Sequence, residues 1–167
     1  MEVKIKDNKI FAPLKDKWLV LTPEERVRQE YICRLVNHYG FGLEQMGQEI
    51  QVDNSHRGQG KARADIVIWK SASAKSNEES ATIVVECKAE HITIREEDYF
   101  QGYNYAAWAG ADFFVTTNLK ETRVFKVVKG RLPKRLEEIV DIPKSEELNN
   151  SKKNQRVIEP NKSVYTR

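Results

Sequence analysis

The feature that most constrains this chain is a pair of short apolar runs with a helical pattern between them. Residues 82–87 read Thr-Ile-Val-Val-Glu-Cys, and Phe113-Phe114-Val115 forms the second run. Both runs are short and rich in β-branched or aromatic residues, so they are predicted to be buried strands. Arg95–Gly110 is predicted to be a helix that ends at its glycine. A strand, a helix and a strand in this order predict two parallel strands of one sheet, with the helix packed on its face.

An earlier helix is predicted from the segment Thr22-Pro23-Glu24-Glu25. Thr is a common N-cap, Pro is favoured at the first helical position, and Glu three residues after the cap completes a capping box. Apolar residues then recur at helical spacing up to Gly40. The fold class is therefore α/β, with a mixed β-sheet flanked by helices. Further extended segments are predicted within residues 3–20, around Glu44–Asp53, at Asp65–Trp69 and, as an outer strand, at Arg123–Val128, with Lys70–Ser80 as an exposed hairpin loop.

The length and the charge distribution indicate one domain with a polar end. The chain has 167 residues, enough for a single domain with one core. Residues 144–167 carry six basic and three acidic groups; since the whole chain has 28 and 25, residues 1–143 hold 22 of each and are neutral. We therefore expect a globular domain over residues 1–143 and a polar, basic linker or tail over residues 144–167.

Several classes of protein are disfavoured by the sequence. No run approaches the ~18 apolar residues of a membrane span, and the charged N-terminus does not resemble a signal peptide. Cys33 and Cys87 are the two cysteines, too few for a disulfide scaffold or a structural zinc site. The glycines at 58 and 60 lack the spacing of a phosphate-binding P-loop. We expect a cytoplasmic protein with no membrane segment and no ATP site.

Charged residues interrupt the apolar pattern at the end of the predicted central strand. Glu86 and Lys88 are two residues apart and share a face, while Val85 and Cys87 point to the other, buried face. If the preceding strand pairs with this one, Asp65 at its start lies beside Glu86. Two carboxylates at a strand end suit a hard cation such as Mg²⁺. An acid-x-Lys triplet alone is usually a solvated strand face, and its context is what favours a site here.

Two neighbouring segments could extend this site. On the helix after the central strand, Gln101 and Tyr105 are one turn apart on one stripe. The stripe predicted to pack on the sheet consists of Phe100, Tyr103 and Ala107. A glycine-bearing turn before Asp65 carries His56, Arg57, Lys61 and Arg63, which either grip phosphates or form a solvated basic turn.

The run Asp65…Glu86-Cys87-Lys88…Gln101-Gly-Tyr-Asn-Tyr105 resembles the nuclease motif of the PD-(D/E)xK superfamily with its Gln-x-x-x-Tyr extension. Position 64 is Ala where the motif has Pro. More of the chain is similar to the N-terminal nuclease domain of type I restriction enzyme R subunits. The segments that carry this similarity, within residues 18–142, are Leu21–Gln29, Ala64–Ile68, Val84–Ala89 and Phe114–Asn118.

The resemblance implies Mg²⁺-dependent cleavage of DNA phosphodiester bonds on a restriction-endonuclease-like fold. Asp65, Glu86 and the backbone carbonyl of Cys87 would hold the metal, for which Mn²⁺ would substitute. Lys88 would orient the attacking water and help to deprotonate it.

The same resemblance assigns roles to residues on both helices. Gln101 and Tyr105 would position the DNA backbone or brace the site. Many superfamily members also use a carboxylate on the first helix, for which Glu25 is the candidate and Glu30 the reserve.

Two other functions stay open from the sequence. One is a non-catalytic DNA-binding or assembly module on the same fold, and the other is a resolvase or repair nuclease. In a restriction-modification system the expected partners are DNA and a helicase-type motor or an adenine methyltransferase, in the same chain or complex.

Overall fold

The first twenty residues form a three-stranded antiparallel sheet, β1 (Ile5–Lys6), β2 (Lys9–Ala12) and β3 (Lys17–Val20). The computed structural model describes residues 1–52, 62–128 and 135–150. Asp7 and Asn8 join β1 to β2 with φ values of 49° and 62°, as a type I′ turn requires and as Asp and Asn tolerate. The short strands predicted within residues 3–20 are confirmed.

The first helix, α1 (Pro23–Asn37), begins where the sequence predicts. The Thr22 hydroxyl accepts a hydrogen bond from the Glu25 N–H at 3.0 Å, which satisfies one free donor of the first turn. Val27 and Tyr31 lie in the main core on its buried side. Gly40, with a φ of 76°, reverses the chain after the helix.

Six strands form the main mixed sheet, and they lie side by side in chain order. The first three strands pair antiparallel, the third and fourth pair parallel, and the remaining pairs are antiparallel. The predicted α/β class and the mixed sheet are confirmed. The strands are β4 (Met46–Val52), β5 (Ala62–Ile68), β6 (Ile83–Cys87), β7 (Phe113–Thr117), β8 (Thr122–Val128) and β9 (Arg135–Ile139).

The prediction that Arg123–Val128 is the outer strand is wrong. β9 pairs with β8 from Val124 to Val128 and takes the edge position itself. Three of the five β9 residues are charged (Arg-Leu-Glu-Glu-Ile), so its sequence lacks the apolar pattern by which a strand is recognised.

The crossover between β6 and β7 is made by α3 (Glu96–Ala109), which approaches the sheet closely at Gly102. A Cβ on Gly102 would lie 2.2 Å from the Phe114 ring of β7, so the glycine permits this close approach. Phe100 is 59% exposed, and its predicted packing on the sheet is wrong. Tyr103 packs on the sheet as predicted, against a second core cluster that contains Val84 and Phe114. Tyr99 and Ala106 join it there, because the helix turns its glycine toward Phe114.

Two smaller segments complete the described structure. Within the predicted loop Lys70–Ser80, a single helical turn, α2 (Ala72–Ser76), is capped by Ser71 and buries Ala74. Residues 145–150 are helical, with the Ser145 N–H donating to the Tyr39 carbonyl and Leu148 packed against the main core. The boundary at residue 143 stays a prediction. No helix within the described ranges is long and apolar enough to cross a bilayer.

Candidate active site

Asp65 and Glu86 meet where two neighbouring strands stop pairing. β5 and β6 are paired from Ile66–Val85 to Ile68–Ile83, and the paired register ends just before Asp65. There Asp65 Oδ2 accepts a hydrogen bond from the Cys87 N–H at 2.8 Å, which fixes the carboxylate against β6. Glu86 Oε1 is buried and has no hydrogen-bond partner. The predicted proximity of these two carboxylates is therefore confirmed.

The Glu86 carboxyl group is hard to ionise in this position. Burial raises its pKa from 4.5 to about 9, and the Asp65 charge and a hydrogen bond with the Asp65 carboxyl group act in the same direction. Burial also raises the pKa of the Cys87 thiol, and Cys87 lies in the core as predicted. An ionised Glu86 carboxylate in this buried position would need a cation beside it.

Arg28 of α1 lies on the other side of Asp65. Its Nη2 donates to Asp65 Oδ1 at 2.6 Å, and its Nη1 donates to Glu25 Oε1 at 2.7 Å. Burial by itself would lower the pKa of the guanidinium, but the charges of Asp65 and Glu25 outweigh burial and raise it. Glu25 is also held by Gln29, whose Nε2 donates to Glu25 Oε2 at 3.0 Å. The carboxylates of α1 and β5 are thus fixed in one network.

Glu49 of β4 joins this network through an unusual backbone. Its φ is 51°, inside a strand, a conformation that costs a non-glycine residue about 1–3 kcal/mol. Its carboxylate lies 3.7 Å from Arg28 Nη1 and contacts the Lys15 ammonium. Strained residues of this kind cluster at functional sites.

The network carries more negative than positive charge. Glu24, at 3.6 Å from Arg28, is the fourth carboxylate of the group. Four acids face the two basic side chains that contact them, so this group of ion pairs is net negative. The acids are Glu24, Glu25, Glu49 and Asp65, and the basic residues are Lys15 and Arg28.

Lys88 is oriented by the crossover helix. Its Nζ lies 3.4 Å from Asp98 Oδ1, and Asp98 Oδ2 accepts the Arg95 N–H at the start of α3. Asp98, Gln101 and Tyr105 are spaced at i, i+3 and i+7, so they share one stripe of the helix. Asp98, the first residue of this series, is the one that contacts Lys88.

A cleft of about 690 Å³ opens beside the network. Glu24, Glu25 and Arg28 line it on the α1 side and Glu49 on the β4 side. Leu19 and Val20 at the end of β3 form another wall, and Ala89, His91 and Ile92 after β6 complete it.

The structure distinguishes among the residues that the sequence singled out. Glu25 reaches the site and is 7% exposed, whereas Glu30 is half-exposed and lies 4.0 Å from Arg26. Arg63 is exposed on β5, and its charge helps to lower the pKa of Lys15, although burial is the largest cause. Gln101 is exposed on α3. His56, Arg57, Lys61 and the Tyr105 side chain lie outside the described part of the structure.

Sequence reasoning missed three residues that shape the site. Arg28 could have been found, because it follows Glu24 and Glu25 at i+4 and i+3 on one helix face. Asp98 has the spacing of a helix-capping residue, and that spacing gives no sign of its second contact, the one with Lys88. Glu49 gives no local signal, since a polar residue in a strand usually faces solvent.

Comparison with known proteins identifies the family of this chain. The family model of the type I restriction enzyme R protein N terminus matches residues 23–143, well over half of the chain. The chain belongs to this family. No curated protein and no solved structure matches it. The resemblance found in the sequence is therefore confirmed at the level of the R protein N-terminal domain.

The site of this R protein N-terminal domain is compatible with a hard divalent cation. The described residues contain no group of three or more Asp, Glu, His or Cys side chains converging on one metal position. The fit depends instead on two adjacent carboxylates, one of which has a buried oxygen without a partner. Mg²⁺ usually takes only one or two carboxylates and completes its octahedron with water and other oxygens.

Proposed function

We propose that this R protein N-terminal domain is a Mg²⁺-dependent DNA endonuclease that hydrolyses phosphodiester bonds in a restriction-modification system. The observation that carries the proposal is the pair Asp65 and Glu86 at the point where β5 and β6 separate, with Glu86 Oε1 buried and unpaired. Two adjacent buried carboxylates can both be ionised only if a cation joins them; otherwise one of them keeps its proton.

Asp65, Glu86 and the Cys87 carbonyl would hold the metal, as they would in the nuclease superfamily. When bound, Mg²⁺ supplies charge for the scissile phosphate and acidifies water. The Cys87 N–H keeps the Asp65 carboxylate in place through its 2.8 Å hydrogen bond. Glu25 is a candidate for a further contact to the metal, because Gln29 and Arg28 orient its carboxylate.

Lys88 is proposed to orient the nucleophilic water and, in its neutral amine form, to help to deprotonate it. Asp98 holds the Lys88 ammonium from one side at 3.4 Å, which limits the positions that Nζ can take. Gln101 and Tyr105 follow Asp98 along α3 and are proposed to position the DNA backbone. Arg57, Lys61 and Arg63 are proposed phosphate contacts.

DNA and the other subunits of a restriction system are the proposed partners. R proteins of this family imply a larger assembly, in which a helicase-type motor or a methyltransferase module would supply translocation or target recognition. A non-catalytic DNA-binding module is the competing function. A pure binding module would gain nothing from keeping Glu86 beside Asp65, where burial and then the Asp65 charge raise the pKa of Glu86.

Calorimetric Mn²⁺ titration combined with a plasmid-nicking assay tests the proposal. Asp65→Asn and Glu86→Gln should each abolish Mn²⁺ binding and nicking, because each removes one ligand charge. Lys88→Met should bind Mn²⁺ as wild type does and lose nicking, because lysine is not a ligand. Glu137→Gln, an exposed carboxylate on the far strand β9, is the matched control and should change neither property.

The variants also separate the competing functions. Mn²⁺ binding that survives Asp65→Asn would show that the metal sits elsewhere. Wild type that binds DNA but neither binds Mn²⁺ nor nicks would identify a non-catalytic module. Both results would contradict the nuclease proposal.

A further inference from the structure

The N-terminal sheet presents a regular face of lysines and apolar side chains. The register places Lys6, Lys9 and Val20 in one row across the three strands, since Lys6 pairs with Lys9 and Lys9 with Val20. Each residue two positions along a strand points to the same side. The second row of this face therefore contains Lys4, Phe11 and Trp18.

Large apolar side chains on this face are exposed to solvent. Trp18 is 43% exposed and Val20 is 64% exposed, while Ile10 and Ala12, on the opposite side of β2, are fully buried. The Phe11 and Trp18 rings are 5.5 Å apart and tilted, and the Lys4 ammonium lies 6.0 Å from the Phe11 ring. The sheet thus has one face in the protein and one face available to a ligand.

The charge on this face is positive and unneutralised. The six positions contain three lysines and no carboxylate. Within the described residues, Lys4, Lys6 and Lys9 form no ion pair. Lysine is depleted in protein–protein interfaces, so an exposed aromatic pair among lysines fits a polyanion better than a protein surface.

The face is continuous with the cleft that opens beside the charge network of Arg28. Val20 ends the row of Lys6 and Lys9, and it also lines the cleft together with Glu24 and Glu49. The cleft itself is acidic and would repel phosphates. A nucleic acid therefore needs attachment outside the cleft, and the N-terminal sheet offers it at the cleft edge.

We propose that this lysine–aromatic face binds single-stranded DNA and guides it toward the cleft. The lysines would contact phosphates, and the Trp18 and Phe11 rings would stack on unpaired bases, whose faces are hidden in a duplex. The proposal rests on the nuclease function for its purpose, but its binding test does not depend on catalysis. The face lies outside residues 23–143, the part of the chain that the family model matches.

Fluorescence anisotropy with a labelled oligo(dT) strand in EDTA tests the proposal on the full chain. Trp18→Ala should weaken binding about tenfold, because one stacked base loses its partner. Binding of the strand to wild type should also quench tryptophan fluorescence. The double variant Lys6→Ala with Lys9→Ala should weaken binding and lower the slope of log K against log salt by about 1.4, since each phosphate contact on a single strand contributes ~0.7. Lys126→Ala, an exposed lysine on β8, is the matched control.

Several results would overturn the proposal. It fails if wild type does not bind the strand, if both variants bind it as wild type does, or if the variants weaken duplex binding as much as single-strand binding. Trp18 and the two lysines are exposed, and circular dichroism checks that each variant folds. If Trp18→Ala does not fold, the lysine double variant still tests the proposal. Glu86→Gln should bind oligo(dT) normally, which separates this surface from the nuclease chemistry.

Discussion

Replacing Arg28 with Met removes the cation that Asp65 and Glu25 share. Arg28 is 6% exposed and donates to Glu25 at 2.7 Å and to Asp65 at 2.6 Å. Breaking a buried pair by removing one partner typically costs about 3–5 kcal/mol, because the remaining charge stays buried without compensation. Glu24 and Glu49 are more exposed and lie at 3.6 and 3.7 Å, so each adds at most ~1 kcal/mol. We expect the free energy of unfolding of Arg28→Met to fall by about 3–5 kcal/mol.

The matched control is another arginine of the same helix. Arg26 is 58% exposed at its side chain and lies 4.0 Å from Glu30, so Arg26→Met should change stability by no more than ~0.5 kcal/mol. Urea unfolding in metal-free buffer with EDTA measures both variants. Combining Arg28→Met with Asp65→Asn should cost less than the sum of the single changes, because the unpaired acid is removed with the cation.

The opposite results would refute this reasoning. If Arg28→Met is as stable as Arg26→Met, the guanidinium does not hold the carboxylates together. If the free energy of unfolding of the combined variant falls by the full sum of the two single changes, the cost comes from lost packing of the arginine stem and not from charge.

Three further changes test other parts of the structure. The pKa of Glu86 is raised to about 9 in the folded state, so its contribution to stability is complete below pH 4.5 and is lost as pH rises toward 9. In thermal melts without metal, Glu86→Gln should therefore lose less stability over this pH range than wild type. Equal pH curves for the two proteins would contradict the raised pKa. Gly102→Ala should destabilise the protein by about 1–3 kcal/mol, because its Cβ would meet the Phe114 ring at 2.2 Å; an unchanged urea midpoint would show that α3 can shift. Tyr105→Phe should fold normally and nick DNA more slowly, and a wild-type nicking rate would remove its hydroxyl from the site.

Local sequence signals were sufficient for the central elements of the fold. The capped start of α1 at Thr22, the β-branched strand at residues 83–87 and the crossover helix that ends at Gly110 each depend on neighbouring residues alone. The same signals placed Asp65 beside Glu86, because antiparallel pairing of consecutive strands brings the start of one strand to the end of the next.

The charge network could not be predicted in this way. Glu49, Arg28 and Lys15 come from a strand, a helix and a loop that are distant in sequence, and no local pattern relates them. The pKa of Glu86 depends on burial and on the nearby Asp65 charge, which exist only once the sheet has formed.

The sequence alone therefore determined the α/β class, the order of the main strands and the two acids that begin the site. Tertiary structure decided that Arg28 holds Asp65 and Glu25 and that β9 covers the edge of β8. It also decided that α3 turns Gly102 toward Phe114 and leaves Phe100 exposed. Propensity and periodicity act over a few residues, whereas ion pairing and close packing depend on distances between residues far apart in the chain.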